Sequence, residues 1–157
     1  MELIIIPKGS GKYDVTDNKE RKIYSVTKKR RLIGNPISTL HDASGYALYR
    51  LVRTESGMKP AFQVIFNDNV FMAAQCKSLY VDPTITFLGG SHSFELTGKD
   101  IWNLKLFEHK DEIGFLKTER QANDEPKYIL TVDDKYFDDF VPLFAVIADK
   151  CFSGKNK

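Results

Sequence analysis

Tyr136-Phe137-Asp138-Asp139-Phe140-Val141-Pro142-Leu143-Phe144-Ala145-Val146-Ile147-Ala148-Asp149-Lys150-Cys151-Phe152 is the stretch that decides the fold. Its middle, Phe140 to Ala148, is nine residues without a charge. A helix that is apolar all round lies either inside a protein or inside a membrane. Nine residues are far short of the ~20 that cross a bilayer, and charged residues flank the run on both sides. The stretch therefore reads as a buried core helix over 137–152. At about 1.5 Å per residue it would be about 25 Å long, a fit to the axis of a small domain. Phe137, Phe140, Phe144, Ile147 and Cys151 fall on one face, while Asp138, Pro142, Ala145 and Asp149 fall on a narrow stripe of small or polar residues. Pro142 is tolerated only in a first turn, and Asp138 or Asp139 is the expected N-cap.

Everything upstream reads as short strands. Leu3 to Ile6 is an apolar run stopped by Pro7. Lys12 to Asp17 and Arg21 to Lys28 alternate on either side of the Asp17-Asn18 turn signal. Ile37–His41 pairs with Tyr46–Arg53 across Asp42-Ala43-Ser44-Gly45, and Ala61–Phe66 pairs with Val70–Ala74 across Asn67-Asp68-Asn69. Further strands are expected at Leu79–Val81 and Ile85–Leu88. Ser93–Leu96 and Ile101–Phe107 flank a turn at Thr97-Gly98-Lys99-Asp100, which places Trp102 in a strand. Glu112–Thr118 and Tyr128–Val132 follow, separated by a polar loop over 120–126. Ten to twelve short strands at regular spacing suggest a sandwich or barrel. A barrel removes exposed edges, and one wide enough to admit the helix resolves where the helix goes. The expectation is one domain over 1–157, with a barrel over 3–132, the central helix over 137–152 and a frayed tail over 153–157.

At 157 residues the chain buries enough surface to need no staples. A composition 42% hydrophobic and 28% charged is ordinary for a globular protein, and 11 Phe with 7 Tyr favour strands. A net charge of +2 is too weak to argue for nucleic acid, and none is expected as a partner. Cys76 and Cys151 sit in apolar surroundings and read as free buried thiols. The opening Met1-Glu2-Leu3-Ile4-Ile5-Ile6-Pro7 lacks a basic segment, and its apolar run is short for a signal peptide. A cytoplasmic protein is expected, peripheral to the membrane if it binds lipid.

Signals for chemistry are sparse. Gly9-Ser10-Gly11-Lys12 lacks the spacing and the following helix of a phosphate loop, and reads as a turn. His41, His92 and His109 have no paired-ligand spacing. Asp133, Asp134, Asp138 and Asp139 lack the rhythm of a calcium loop. No nucleophile elbow is present, and Cys151 on a buried helix is poorly placed for attack. No catalytic residue, metal or cofactor is assigned. The sharpest feature is Lys28-Lys29-Arg30-Arg31, four adjacent cations between two strands. Such a run is either a solvated hairpin end that discourages edge pairing or a reader of an anionic surface.

The repeated hairpin pattern resembles the tubby C-terminal-like superfamily, which includes the plant LURP-one-related proteins, the phospholipid scramblases and small bacterial stand-alone domains. The resemblance rests on Tyr13-Asp14-Val15-Thr16-Asp17 followed by Ile23-Tyr24-Ser25-Val26, and on Leu40-His41-Asp42-Ala43-Ser44-Gly45 followed by Leu48-Tyr49-Arg50-Leu51. It continues in Phe94-Glu95-Leu96-Thr97-Gly98 followed by Ile101-Trp102-Asn103-Leu104, in Glu112-Ile113-Gly114, and in the helix from Phe137. It implies a mostly β fold, a closed antiparallel barrel of about twelve strands around a central C-terminal helix, and a non-enzymatic role. Tubby proteins read phosphoinositide head groups and scramblases act on phospholipids. No residue here matches those head-group contacts one to one, and the scramblase membrane segment is lacking.

Two functional expectations follow. In the first, Lys28, Lys29, Arg30 and Arg31 dock a binding module on acidic phospholipid or another anionic surface. In the second, a protein partner binds an exposed sheet edge or the aromatic face around Trp102. A small-ligand barrel or enzyme would need a polar cavity beside the helix, lined by groups of shifted pKa.

Overall fold

Alternation of buried and exposed residues runs through nearly every strand of the computed structural model, which describes residues 1–153. Leu3 and Ile5, Tyr13 and Val15, Tyr24 and Val26, and Leu104 and Leu106 are buried, while residues between them face out. A period of two puts one apolar face on each strand. The strands are β1 (Glu2–Gly9), β2 (Lys12–Thr16), β3 (Lys22–Lys29), β4 (Ile37–Asp42), β5 (Ala47–Glu55), β6 (Ala61–Phe66), β7 (Asn69–Ser78), β8 (Thr84–Gly89), β9 (His92–Asp100), β10 (Asn103–Glu108), β11 (Asp111–Arg120) and β12 (Pro126–Val132). Each pairs antiparallel with its sequence neighbours. β1 pairs with both β2 and β12, through Ile5↔Val15 and Ile4↔Ile129, and this closes the barrel.

The closed wall surrounds one helix, α1 (Pro142–Phe152). Pro142 through Asp149, and Cys151, are all buried. Phe144 packs on Phe87 and Phe94, with ring centroids 4.6 and 5.0 Å away. Phe140, just before the helix, packs on Tyr49, Phe71, His92 and Phe94. At about 1.5 Å per residue α1 is about 16 Å long. The buried face of the wall is apolar, and outward positions such as Asp14, Lys105 and Lys117 are polar. A membrane-spanning barrel has the reverse pattern. Among the described residues no helix is long and apolar enough to cross a membrane.

The structure moves four boundaries. The helix begins at Pro142 and not at residue 137. Pro142 takes the first helical position, where its missing N–H costs nothing, and Val141 is the N-cap. Asp138 and Asp139 therefore cap nothing. Residues 134–136 form a short 3₁₀ turn, and the chain then runs extended at Phe137. The expected turn over 97–100 lies inside β9, and the chain reverses at Ile101 and Trp102, so Trp102 sits at a hairpin tip. Gly98 permits this, since a Cβ there would lie 2.3 Å from the Asn103 carbonyl oxygen. Leu79–Val81 is a loop, with Tyr80 and Val81 exposed. Of the predicted tail, Ser153 is the helix C-cap, and 154–157 lie outside the described residues.

Antiparallel order sorts the turns between two mouths. The turns after β1, β3, β5, β7, β9 and β11 share the mouth at the helix C-terminus. Those after β2, β4, β6, β8 and β10 share the other with residues 133–141.

Candidate functional site: a basic mouth at the helix C-terminus

The inward phase of two strands ends in a cation instead of an apolar residue. On β3 the inward series Tyr24, Val26 continues to Lys28, and on β5 Tyr49, Leu51 continues to Arg53. Both reach the rim where α1 ends, and there Lys150 joins them. Lys28, Arg53 and Lys150 line one cavity of about 350 Å³, with Asn35, Ser38 and Ser56 as its polar wall. Ser38, opposite Lys28 in the ladder, is buried.

Several contacts fix this geometry. The Lys28 stem lies across Gly11, where a Cβ would meet Lys28 Cδ at 2.4 Å. Gly11 also has φ +76, so the turn that opens β2 suits glycine on both counts. The Arg53 guanidinium stands over the Phe62 ring at 5.7 Å, and its Nε donates to the Glu55 carbonyl at 3.2 Å. Lys150 Nζ lies 5.9 Å from the centre of the Tyr13 ring. Burial holds the Lys150 amine below the ordinary lysine range, and the charges of Lys28 and Arg53 push it the same way, against the weaker pull of Asp149.

The predicted run Lys28-Lys29-Arg30-Arg31 is therefore divided. Lys28 enters the cavity. Lys29, one residue on, takes the outward phase and is exposed at the end of β3. Arg30 and Arg31 lie in the loop to β4, where Arg31 Nε donates to the Asn35 carbonyl at 2.7 Å and so braces the loop. Leu32 and Ile33 at its tip are 106% and 89% exposed. Among the described residues, Lys28, Lys29, Arg30, Arg31 and Lys150 form no ion pair with a carboxylate. Most other cations do, among them Lys22 with Asp14, Arg21 with Asp17, Lys99 with Asp82 and Arg120 with Asp124. Sequence reasoning missed Arg53 and Lys150. The signal was present, because both continue a buried phase at the same end of the barrel.

The opposite mouth is acidic, and several of its carboxylates have structural partners. Asp134 meets the N-terminal amine at 2.5 Å, and Asp139 accepts from Tyr24 Oη at 2.5 Å. Asp42 accepts from Ser44 and Tyr46 within its own turn. Among the described residues, no group of three His, Cys, Asp or Glu side chains converges as a metal site. The histidines lie apart. His41 contacts Thr27 Oγ1 at 3.1 Å, His92 stacks on Phe94, and His109 sits in a turn.

Just inside the basic mouth, Asp149 is only 4% exposed. Tyr13 Oη donates to its Oδ2 at 2.5 Å, and Tyr128 Oη donates to its Oδ1. Burial and the nearby carboxylate push both phenols well above the usual range. Cys76 and Cys151 are free and buried, the Cys76 thiol donates to the Ser78 carbonyl at 3.8 Å, and the neighbouring Cys76 thiol and burial raise the Cys151 thiol. The wall leaves no unpaired sheet edge, which removes the expected edge-pairing route to a partner. The Trp102 ring is covered on one face by the Arg120 guanidinium at 5.2 Å.

No family profile matches the chain, and no curated protein matches it. The fold is similar to that in the X-ray structure of a protein from Arabidopsis thaliana. The TM-score is 0.65 at 14% identity, over 95% of this chain and 89% of the other. At that identity the likeness concerns the fold.

Proposed function

We propose that this protein is a non-enzymatic module of the tubby C-terminal-like type that docks its basic mouth on acidic phospholipid. The observation that carries the reading is the convergence of Lys28, Arg53 and Lys150 on one open cavity, with Lys29, Arg30 and Arg31 beside it. Cations held together raise the local potential and attract anions. Each Lys or Arg near an anionic leaflet contributes about 1 kcal/mol, within a Debye length of roughly 10 Å at 0.1 M salt. A phosphate at this mouth would relieve the repulsion that depresses Lys150. The likeness to the plant protein supports the barrel type, and the helix filling the lumen favours a surface role over chemistry in an internal chamber.

The test is co-sedimentation with phosphatidylserine-containing vesicles at low and moderate salt. Wild type is expected to bind and to release as salt rises. Serine at all four positions 28–31 is expected to weaken binding by at least tenfold. Equal retention of the two proteins would remove the reading.

A further inference from the structure

Turn residues at the two mouths differ in kind. At the acidic mouth the tips are Asn18-Lys19, Ser44-Gly45, Asn67-Asp68, Gly90-Ser91 and His109-Lys110, polar or small, with the exposed Tyr46 after Gly45 as the large apolar exception in these turns. At the basic mouth, four neighbouring hairpins carry exposed apolar tips. Leu32 and Ile33 follow β3, Met58 follows β5, Tyr80 and Val81 follow β7, and the half-exposed Trp102 follows β9. In barrel order these hairpins are consecutive, so the tips form one arc of the rim. The other two turns at that mouth, Gly9-Ser10-Gly11 and Gln121 to Glu125, are small or polar. Hairpin tips are ordinarily built from Gly, Asn, Asp and Ser, and a grouped set of exposed large apolar residues marks an interaction surface.

Cations interleave with this arc. Lys29, Arg30 and Arg31 precede Leu32, Lys59 follows Met58, and Lys99 stands near Trp102. Among the described residues Lys29, Arg30 and Arg31 have no carboxylate partner, while Lys99 pairs with Asp82. Apolar tips among such cations suit a bilayer, where phosphates meet the charges and the acyl boundary takes the side chains. Tyr and Trp also favour that depth.

We infer that the mouth does more than rest on the lipid surface: it sinks the arc Leu32-Ile33, Met58, Tyr80-Val81 into the bilayer interface. The barrel then leans, with its β3-to-β10 side against the membrane and the acidic β11–β12 turn lifted away. The inference rests on the docking reading and adds depth and tilt to it.

Ile33→Cys labelled with a polarity-sensitive maleimide tests it, because Cys76 and Cys151 are buried and the new thiol is accessible. Vesicles of phosphatidylcholine and phosphatidylserine with brominated acyl chains serve as the probe. The label at 33 is expected to shift to the blue and to be quenched. The same label at Ser44→Cys, on the other mouth, is expected to do neither. Leu32→Ser with Ile33→Ser is expected to weaken partitioning by about tenfold or more, most clearly at moderate salt, where charge attraction is screened. Binding with the label at 33 still in water would overturn penetration and leave docking in place. No binding of anionic vesicles would overturn both.

Discussion

Asp149 shows how a polar residue comes to sit in an otherwise apolar lumen. A carboxylate taken out of water is costly unless it is hydrogen-bonded, and here two phenols from opposite ends of the chain, on β2 and β12, supply donors. Tyr128→Phe removes one donor and is expected to cost about 1–3 kcal/mol, measured by chemical denaturation. The pair also sets an alkaline limit. Both phenols titrate above their ordinary value in the folded state, so above pH about 10 the unfolded chain loses protons that the folded chain keeps. Stability from this pair is full below pH 10 and declines as pH rises beyond it, and Tyr13→Phe with Tyr128→Phe should flatten that decline. None of this was legible in the sequence. Asp149 read as part of a polar stripe, because the tyrosines that hold it stand 136 and 21 residues away. Lys28 was legible as a cation, and its separation from Lys29 follows from strand phase, which reading the four cations as one run passes over.

At the scale of the element, the helix was read from composition, and its core holds. Phe144 packs between Phe87 and Phe94 with no exposure to speak of. Phe144→Ala is expected to cost about 3–5 kcal/mol in denaturant. Phe144→Asp is expected to yield no folded protein, and a soluble variant with unchanged melting would contradict the buried assignment. The start of the helix was misread because Asp138 and Asp139 have the chemistry of N-caps, while Pro142 has the geometry of a first helical residue. Geometry prevails, and Asp139 is held by Tyr24 instead. The β9–β10 hairpin was misread for a related reason. Thr97-Gly98-Lys99-Asp100 has turn composition, yet Gly98 serves a close backbone approach within the ladder.

For the whole molecule, closure was legible and polarity was not. Regular short strands suggest a sandwich or barrel, and one greasy helix in need of a place favours the barrel that closes around it. A net charge of +2 gives no hint that the two mouths differ in sign, because the sum hides the arrangement. Strand order creates the difference by sending alternate turns to opposite ends. It gathers Lys28, Lys29, Arg30, Arg31, Arg53 and Lys150 at one end, and leaves Asp134, Asp138 and Asp139 at the other. The arrangement also suits α1, whose C-terminal end carries partial negative charge and whose N-terminal end carries partial positive charge.

The most direct measurement compares two variants of equal net charge on phosphatidylserine vesicles. One replaces Lys28, Lys29, Arg30 and Arg31 with serine, and the other replaces Lys19, Lys22, Lys110 and Lys135, at or toward the acidic mouth. Docking by the basic mouth predicts that the first loses binding at least tenfold while the second stays within about twofold of wild type. Equal losses in both would show that total charge, and not the mouth, governs any attachment.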